Sequence, residues 1–194
     1  MQIKKEEMRE KILQAATDEF FKKGYENASM RVIAQKSYTT VGNIYHYFEN
    51  KDVLLEAILL PVIEDLETKL ARHEEEEQEQ PMTKQQALDF IDNMEENMEH
   101  SDLKCLLDKR VVILFKLESS SLLERKERLL SHCKAHLNEH LNAGGNERYS
   151  EILVNMFVDW AKNILTRYED IDEAKAEFVK LFKMFCSGII GQRN

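Results

Sequence analysis

The sequence predicts an all-α protein, with a three-helix head followed by a larger helical bundle. Only two prolines and six glycines interrupt 194 residues rich in Leu, Glu, Lys and Ala, a composition that favours helix. Apolar residues recur at helical spacing along the chain. Two short apolar-patterned segments, set off by Gly24 and by Ser37-Tyr38-Thr39, follow a longer one within the first fifty residues. A chain of this length can bury a core without covalent staples.

Between Lys5 and Lys23, Met8, Ile12, Ala16 and Phe20 recur every four residues with Leu13 beside them, which predicts an amphipathic first helix. Gly24 ends it as a left-handed cap. Ser29 is placed to cap a short second helix, "MRVIAQK", with Val32 and Ile33 available for the core. After the break at 37–39, a third helix runs from about Thr40 to Tyr47. Asn50 caps a fourth that begins at Lys51, with Val53, Leu54, Ala57 and Ile58 inward. Pro61 falls inside this pattern, so the helix is expected to kink or restart there. The periodicity resumes through Ile63, Leu66 and Leu70. "RHEEEEQEQP" (72–81) reads as a solvated helix end and loop, with an acidic interaction patch as the alternative. Further helices are expected near 82–99, 102–118, 120–142, 148–168 and 171–190. The domain division this suggests is 1–50 and 51–194.

The overall charge of −9 argues against nucleic acid, but its distribution does not. Residues 1–51 hold nine Lys/Arg and seven Asp/Glu, a net of +2; residues 52–194 hold eighteen and twenty-nine, a net of −11. Binding follows the local footprint. Cys105, Cys133 and Cys186 are odd in number and far apart, which suits free thiols in a reducing compartment. No apolar run reaches the length of a membrane span and no signal-peptide pattern opens the chain. A cytoplasmic protein without a membrane partner is expected. No nucleotide-binding glycine loop, nucleophile–base set or paired-carboxylate pattern is present, so neither an enzyme nor a cofactor is predicted.

"TTVGNIYHYFENK" (39–51) holds three aromatics and a histidine in one helical stretch. Tyr45, His46, Tyr47 and Phe48 cannot all face one core, because consecutive helical side chains point about 100° apart. Ile44 and Phe48 can anchor the third helix on Ile12, Phe20 and Ile33. The opposite side then presents Thr39, Gly42, His46 and the flanks of Asn43 and Tyr45. A glycine there lets the backbone approach a phosphate, and hydroxyls, an amide and an imidazole suit phosphate oxygens and base edges. Phe48 reads as packing, and Tyr45 and Tyr47 as packed rings with hydroxyls free to reach phosphates. Three helices with a tight turn between the last two make a helix-turn-helix unit.

Residues 12–59 resemble the amino-terminal domain of the tetracycline-repressor (TetR) family of bacterial regulators. The resemblance rests on the Gly24-Tyr25 corner, the Ser29 cap, Ile33-Ala34, Gly42, Ile44-Tyr45, Tyr47-Phe48, Lys51 and Leu54. It implies that Ser29 and Met30 meet the phosphate backbone. It also implies that Thr39, Thr40, Val41, Gly42, Tyr45, His46 and Tyr47 form the reading surface. Lys51 would bind phosphate, helped by the dipole of the fourth helix. Two positions depart from the family pattern. Tyr38 stands where a glycine usually makes the turn, and a left-handed tyrosine costs about 1–2 kcal/mol, so the turn is either strained or differently shaped. Val41 replaces a position often polar or basic; it can instead meet a thymine methyl.

For 51–194 the resemblance implies an effector-binding and dimerisation bundle. Independently, two broad apolar stripes point to a homodimer interface, with Ile152, Met156 and Trp160 on one helix and Phe178, Phe182 and Phe185 on the next. A thick monomer core is the alternative. "RVVILFKL" (110–117) is apolar nearly all round and should be central. Met94, Met98, Cys105 and Phe115 are candidate walls of a ligand pocket, against the plainer reading of ordinary core. His132, His136 and His140 are spaced i, i+4, i+8, with Cys133 beside them. The plain reading is a surface histidine edge along the Leu129, Leu130, Cys133, Leu137, Leu141 stripe; the alternative is a metal site.

The expectation is a ligand-responsive, dimeric repressor released from a double-stranded DNA operator by a small molecule. The alternatives are a metal-responsive regulator using the histidine edge, and a nucleoid-associated or adaptor protein without a small-molecule switch.

Overall fold

The computed structural model describes residues 2–96, 102–140, 147–168 and 170–191, and among these every regular element is a helix. The head is built from α1 (Gln2–Lys23), α2 (Met30–Lys36) and α3 (Val41–Tyr47), followed by α4 (Lys51–Glu79). Then come α5 (Lys84–Asp92), a 3₁₀ turn (Asp102–Leu107), α6 (Lys109–Lys116), α7 (Leu123–His140), α8 (Glu147–Arg167) and α9 (Ile171–Gly191). Two compact units result. One comprises residues 1–64 and 109–126, the other 65–108 and 127–194.

In the first unit, α1 packs on α2 and on α6, and α2 on α3. The predicted anchors meet in its core: Ile12, Ala16, Phe20, Ile33, Ile44 and Phe48 are buried, as are Leu54, Leu55, Ile58 and Leu59 of α4. Gly24 closes α1 in the left-handed region (φ 76°) while its N–H donates back to Phe20 O at 2.8 Å. Four consecutive residues of α6, Val111 to Leu114, are buried, which only a helix surrounded on all sides allows. Glu19 of α1 is buried too, and Lys36 Nζ of α2 donates to it at 2.9 Å. Removing that lysine would strand a buried carboxylate.

The chain does not restart at Pro61: α4 is one helix of 29 residues with Pro61 inside it. The proline is exposed, while Ile58, Leu59, Val62 and Ile63 around it are buried. That burial outweighs the roughly 3 kcal/mol an interior proline costs.

In the second unit, α9 packs on α5 and on α8. α5 opens with a reciprocal capping box, Gln86 N donating to Thr83 Oγ1 at 3.3 Å and Thr83 N donating to Gln86 Oε1 at 3.0 Å. Lys183 Nζ of α9 donates to Asp92 O at its far end, 2.9 Å away. Phe157, Trp160, Phe178, Phe182 and Phe185 form one aromatic cluster between α8 and α9, with Trp160 stacked on Phe178 at 5.0 Å. Two expected helices are subdivided. The segment near 82–99 breaks at Asn93, which ends α5. The segment near 102–118 divides into the 3₁₀ turn and α6, with Asp108 N donating to Cys105 O at 3.1 Å between them.

Candidate nucleic-acid interface

The turn between α2 and α3 is set by backbone hydrogen bonds. Thr39 N donates to Ala34 O at 2.9 Å and Tyr38 N donates to Gln35 O at 3.2 Å, the paired closure of a Schellman motif. That motif needs a left-handed residue after the cap, and Tyr38 takes the position with φ 55°. The strained alternative raised by the sequence is therefore the one adopted. The Tyr38 side chain is 90% exposed, so no packing offsets the strain.

Thr40 is the N-cap of α3, its Oγ1 accepting from Asn43 N at 3.1 Å. Asn43 Nδ2 in turn donates to Thr39 Oγ1 at 2.7 Å. Both threonine hydroxyls therefore act as acceptors within the turn and keep an O–H to donate. Behind them Ile44 and Phe48 bolt α3 to the core; in front, Gly42, Tyr45 and His46 are exposed, with Val41, Asn43 and Tyr47 half-buried. His46 and Tyr47 meet edge to face at 6.1 Å. A methyl group added at Gly42 would meet nothing nearer than Thr40 Oγ1 at 4.0 Å. The absence of a side chain there is not required by the protein's own packing.

Ser29 stands at the N-cap of α2 with extended backbone, but its hydroxyl makes no capping bond. Met30 beside it is half-buried. At α4, Asn50 Oδ1 accepts from Val53 N at 2.9 Å. The Lys51 amine lies 4.6 Å from the centre of the Tyr25 ring and donates to Glu26 O at 3.3 Å. Burial lowers its pKa from the ordinary lysine value, against the pull of Glu26 and Asp52. Burial raises the Tyr25 phenol well above its ordinary value, and its hydrogen bond to Asp52 adds to this.

Glu26 has a structural role that its local sequence does not announce. Its Oε1 accepts from Glu118 N (3.2 Å), Ser119 N (3.0 Å) and Ser119 Oγ (3.2 Å), tying the corner after α1 to the turn after α6. Burial works against its ionised form, but the backbone and hydroxyl donors prevail and hold the carboxyl below its usual range. Only the excess of donors from a segment 92 residues away reveals this role, and no local pattern encodes it.

The other predicted residues are distributed as follows. Met94 is buried and Cys105 half-buried in the second unit, Phe115 is half-buried in the first, and Met98 lies outside the described residues. Phe178 is fully buried within its own unit, Trp160, Phe182 and Phe185 are half-buried, and Ile152 and Met156 are exposed. Burial raises the Cys133 thiol to about 11. His132 and His136 face not Cys133 but the carboxyl-terminal turns of α4: His132 Nε2 is 2.8 Å from Glu74 Oε1, and His136 Nε2 is 3.9 Å from Glu77 Oε2. The side chain of His140 lies outside the described residues. Among the described residues, no helix is long and apolar enough to cross a membrane.

Residues 12–58 match the family model for bacterial regulatory proteins of the tetR family. The chain is 34% identical over 98 residues to the HTH-type transcriptional regulator UidR of Escherichia coli K12, and equally to that of Shigella flexneri. Each match covers 50% of this chain and 44% of the relative, so the similarity spans under half the length of those proteins. Across 95% of both chains the fold is similar to a TetR-family transcriptional regulator from Mesorhizobium loti, with TM-score 0.53 and 17% identity. A three-helix unit with an exposed third helix, a glycine on its open face and a capped turn before it is a DNA-binding head of the helix-turn-helix class. That head, residues 12–58, is the part of the chain that matches the tetR family of bacterial regulatory proteins.

Proposed function

We propose that the protein is a homodimeric transcriptional repressor, acting in the cytoplasm, that holds a double-stranded operator through α2 and α3 and releases it when a small molecule binds. Ser29, Met30 and Lys51 contact phosphates. Thr39, Thr40, Val41, Gly42, Tyr45, His46 and Tyr47 face the major groove, and Tyr38, rigidly presented at the turn, extends this surface. The effector site is assigned to the second unit, with Met94 and Cys105 as its candidate residues. The +2 charge of residues 1–51 within a chain of −9 supports the head as the electrostatic footprint.

The observation that carries the reading is Gly42. Glycine inside an exposed helix costs roughly 0.5–1 kcal/mol relative to alanine, and the space around it would accept a methyl group. Close approach of a phosphate or sugar to α3 accounts for that cost. Gly42→Ala should therefore stabilise the protein by about 0.5–1 kcal/mol in urea melts while weakening binding to an operator selected from random duplexes at least about tenfold. Unchanged operator affinity in the stabilised variant would remove α3 from the interface.

A further inference from the structure

We propose that α4 and α7 form a zinc site whose ligands are His73, Glu77 and His136. His73 and Glu77 are four residues apart and so share one face of α4; His136 reaches toward them from α7. Candidate ligand atoms of the three residues lie within 4.8 Å of one another. His73 Nε2 is 3.8 Å and His136 Nε2 3.9 Å from the same oxygen, Glu77 Oε2. The two imidazole rings meet edge to face at 5.0 Å. A tetrahedral ion with bonds near 2.0–2.1 Å needs its ligands about 3.3–3.4 Å apart. The two imidazole–carboxylate distances need contractions of roughly half an ångström. The separation of the two imidazoles, within 4.8 Å, needs up to about 1.4 Å, which rotation of the exposed His73 and half-buried Glu77 side chains has to supply.

A second layer supports the first. Glu74 Oε1 lies 3.5 Å from His136 Nδ1, the ring nitrogen turned away from Glu77, and 2.8 Å from His132 Nε2. A carboxylate on the far nitrogen of a metal-bound histidine fixes its tautomer and orientation and raises its basicity. His132 in turn holds Glu74. Two imidazoles and one carboxylate suit zinc and leave a fourth position for water or a small anion. Glu77 and His136 also line an open recess of about 520 Å³ with Glu74, Pro81, Met82 and His132, which gives that position access to solvent. This set differs from the histidine edge read from the sequence: it recruits His73 and Glu77 from α4 and omits Cys133, whose sulfur is not among the ligand atoms that converge there.

The test uses the full chain stripped of metal, with Zn²⁺ titrated against a chromophoric chelator and Co²⁺ as a spectroscopic substitute. One Zn²⁺ per chain is expected. Glu77→Gln should lower its affinity at least about tenfold, and Glu74→Gln by about 10–100-fold, the usual cost of losing an outer carboxylate. Both positions are at the helix surface, and circular dichroism checks that the variants remain folded. The Co²⁺ form should show visible ligand-field bands without thiolate charge transfer. No stoichiometric uptake, uptake indifferent to both substitutions, or a thiolate band would each overturn the site. No DNA enters the measurement, so the outcome is independent of the operator-binding reading.

Discussion

Tyr38 concentrates strain at a single residue. A bulky side chain at φ 55° is an outlier, costing about 1–2 kcal/mol, and it persists because two backbone hydrogen bonds overdetermine the turn. Tyr38→Gly removes the strain without losing a packed contact, since the ring is exposed. Glycine also loosens the unfolded chain, so the net gain should be at most about 1 kcal/mol, read as a higher urea midpoint. If the phenol reaches DNA as proposed, operator affinity should fall in the same variant. A destabilised protein would mean that the turn relies on the tyrosine after all, and unchanged affinity would mean that the side chain stays clear of the duplex.

Among the elements, the legible ones had local causes. The fourfold recurrence in α1, Gly24, the break at 37–39 and the Asn50 cap are short-range signals, and α1 to α4 begin and end close to where these place them. The helix does not restart at Pro61: the proline's local cost is visible in the sequence, while the burial of its neighbours that outweighs it is not. "RHEEEEQEQP" is the largely exposed end of α4, as its charge suggests; what its sequence does not show is that Glu74 and Glu77 meet His132 and His136 some sixty residues away. Glu26 is the same kind of case, and its role has a pH signature. Its carboxyl is held below the ordinary 4.5 in the fold. The stability it lends is therefore fully present above that value and is lost as pH falls through the depressed one. Glu26→Gln should cost about 0.5–1 kcal/mol at pH 7, solvent screening having trimmed the usual worth of hydrogen bonds to a charged group. Urea melts of the two proteins should converge as the pH is taken below 4.5. A gap that persists or widens in acid would show that the amide disturbs packing instead of lacking charge.

At the scale of the whole molecule, the proposed repressor needs two heads to read two half-sites, and the surface proposed to pair them lies on α8 and α9. The aromatic cluster there is largely consumed inside one chain: Phe178 is fully buried, with Trp160 and Phe182 stacked on it. What faces outward is a stripe on α8, Tyr149, Ile152 and Met156, together with Met184 of α9, each more than half exposed. Residues 149, 152 and 156 follow the three- and four-residue steps of one helix face, and an apolar face of this kind suits an isologous contact. Asp or Glu at Phe182 would damage the internal cluster and the contact together. The discriminating variant is Ile152→Glu with Met156→Glu, which leaves the cluster intact and sets four charges against each other across a twofold axis. Circular dichroism should be unchanged, while sedimentation should give the mass of one 22.8 kDa chain in place of two. With one head in place of two linked ones, operator affinity should drop by about 100-fold or more, because the second contact no longer occurs at high effective concentration. A double variant that still sediments as a dimer would place the interface elsewhere and leave this stripe without a partner.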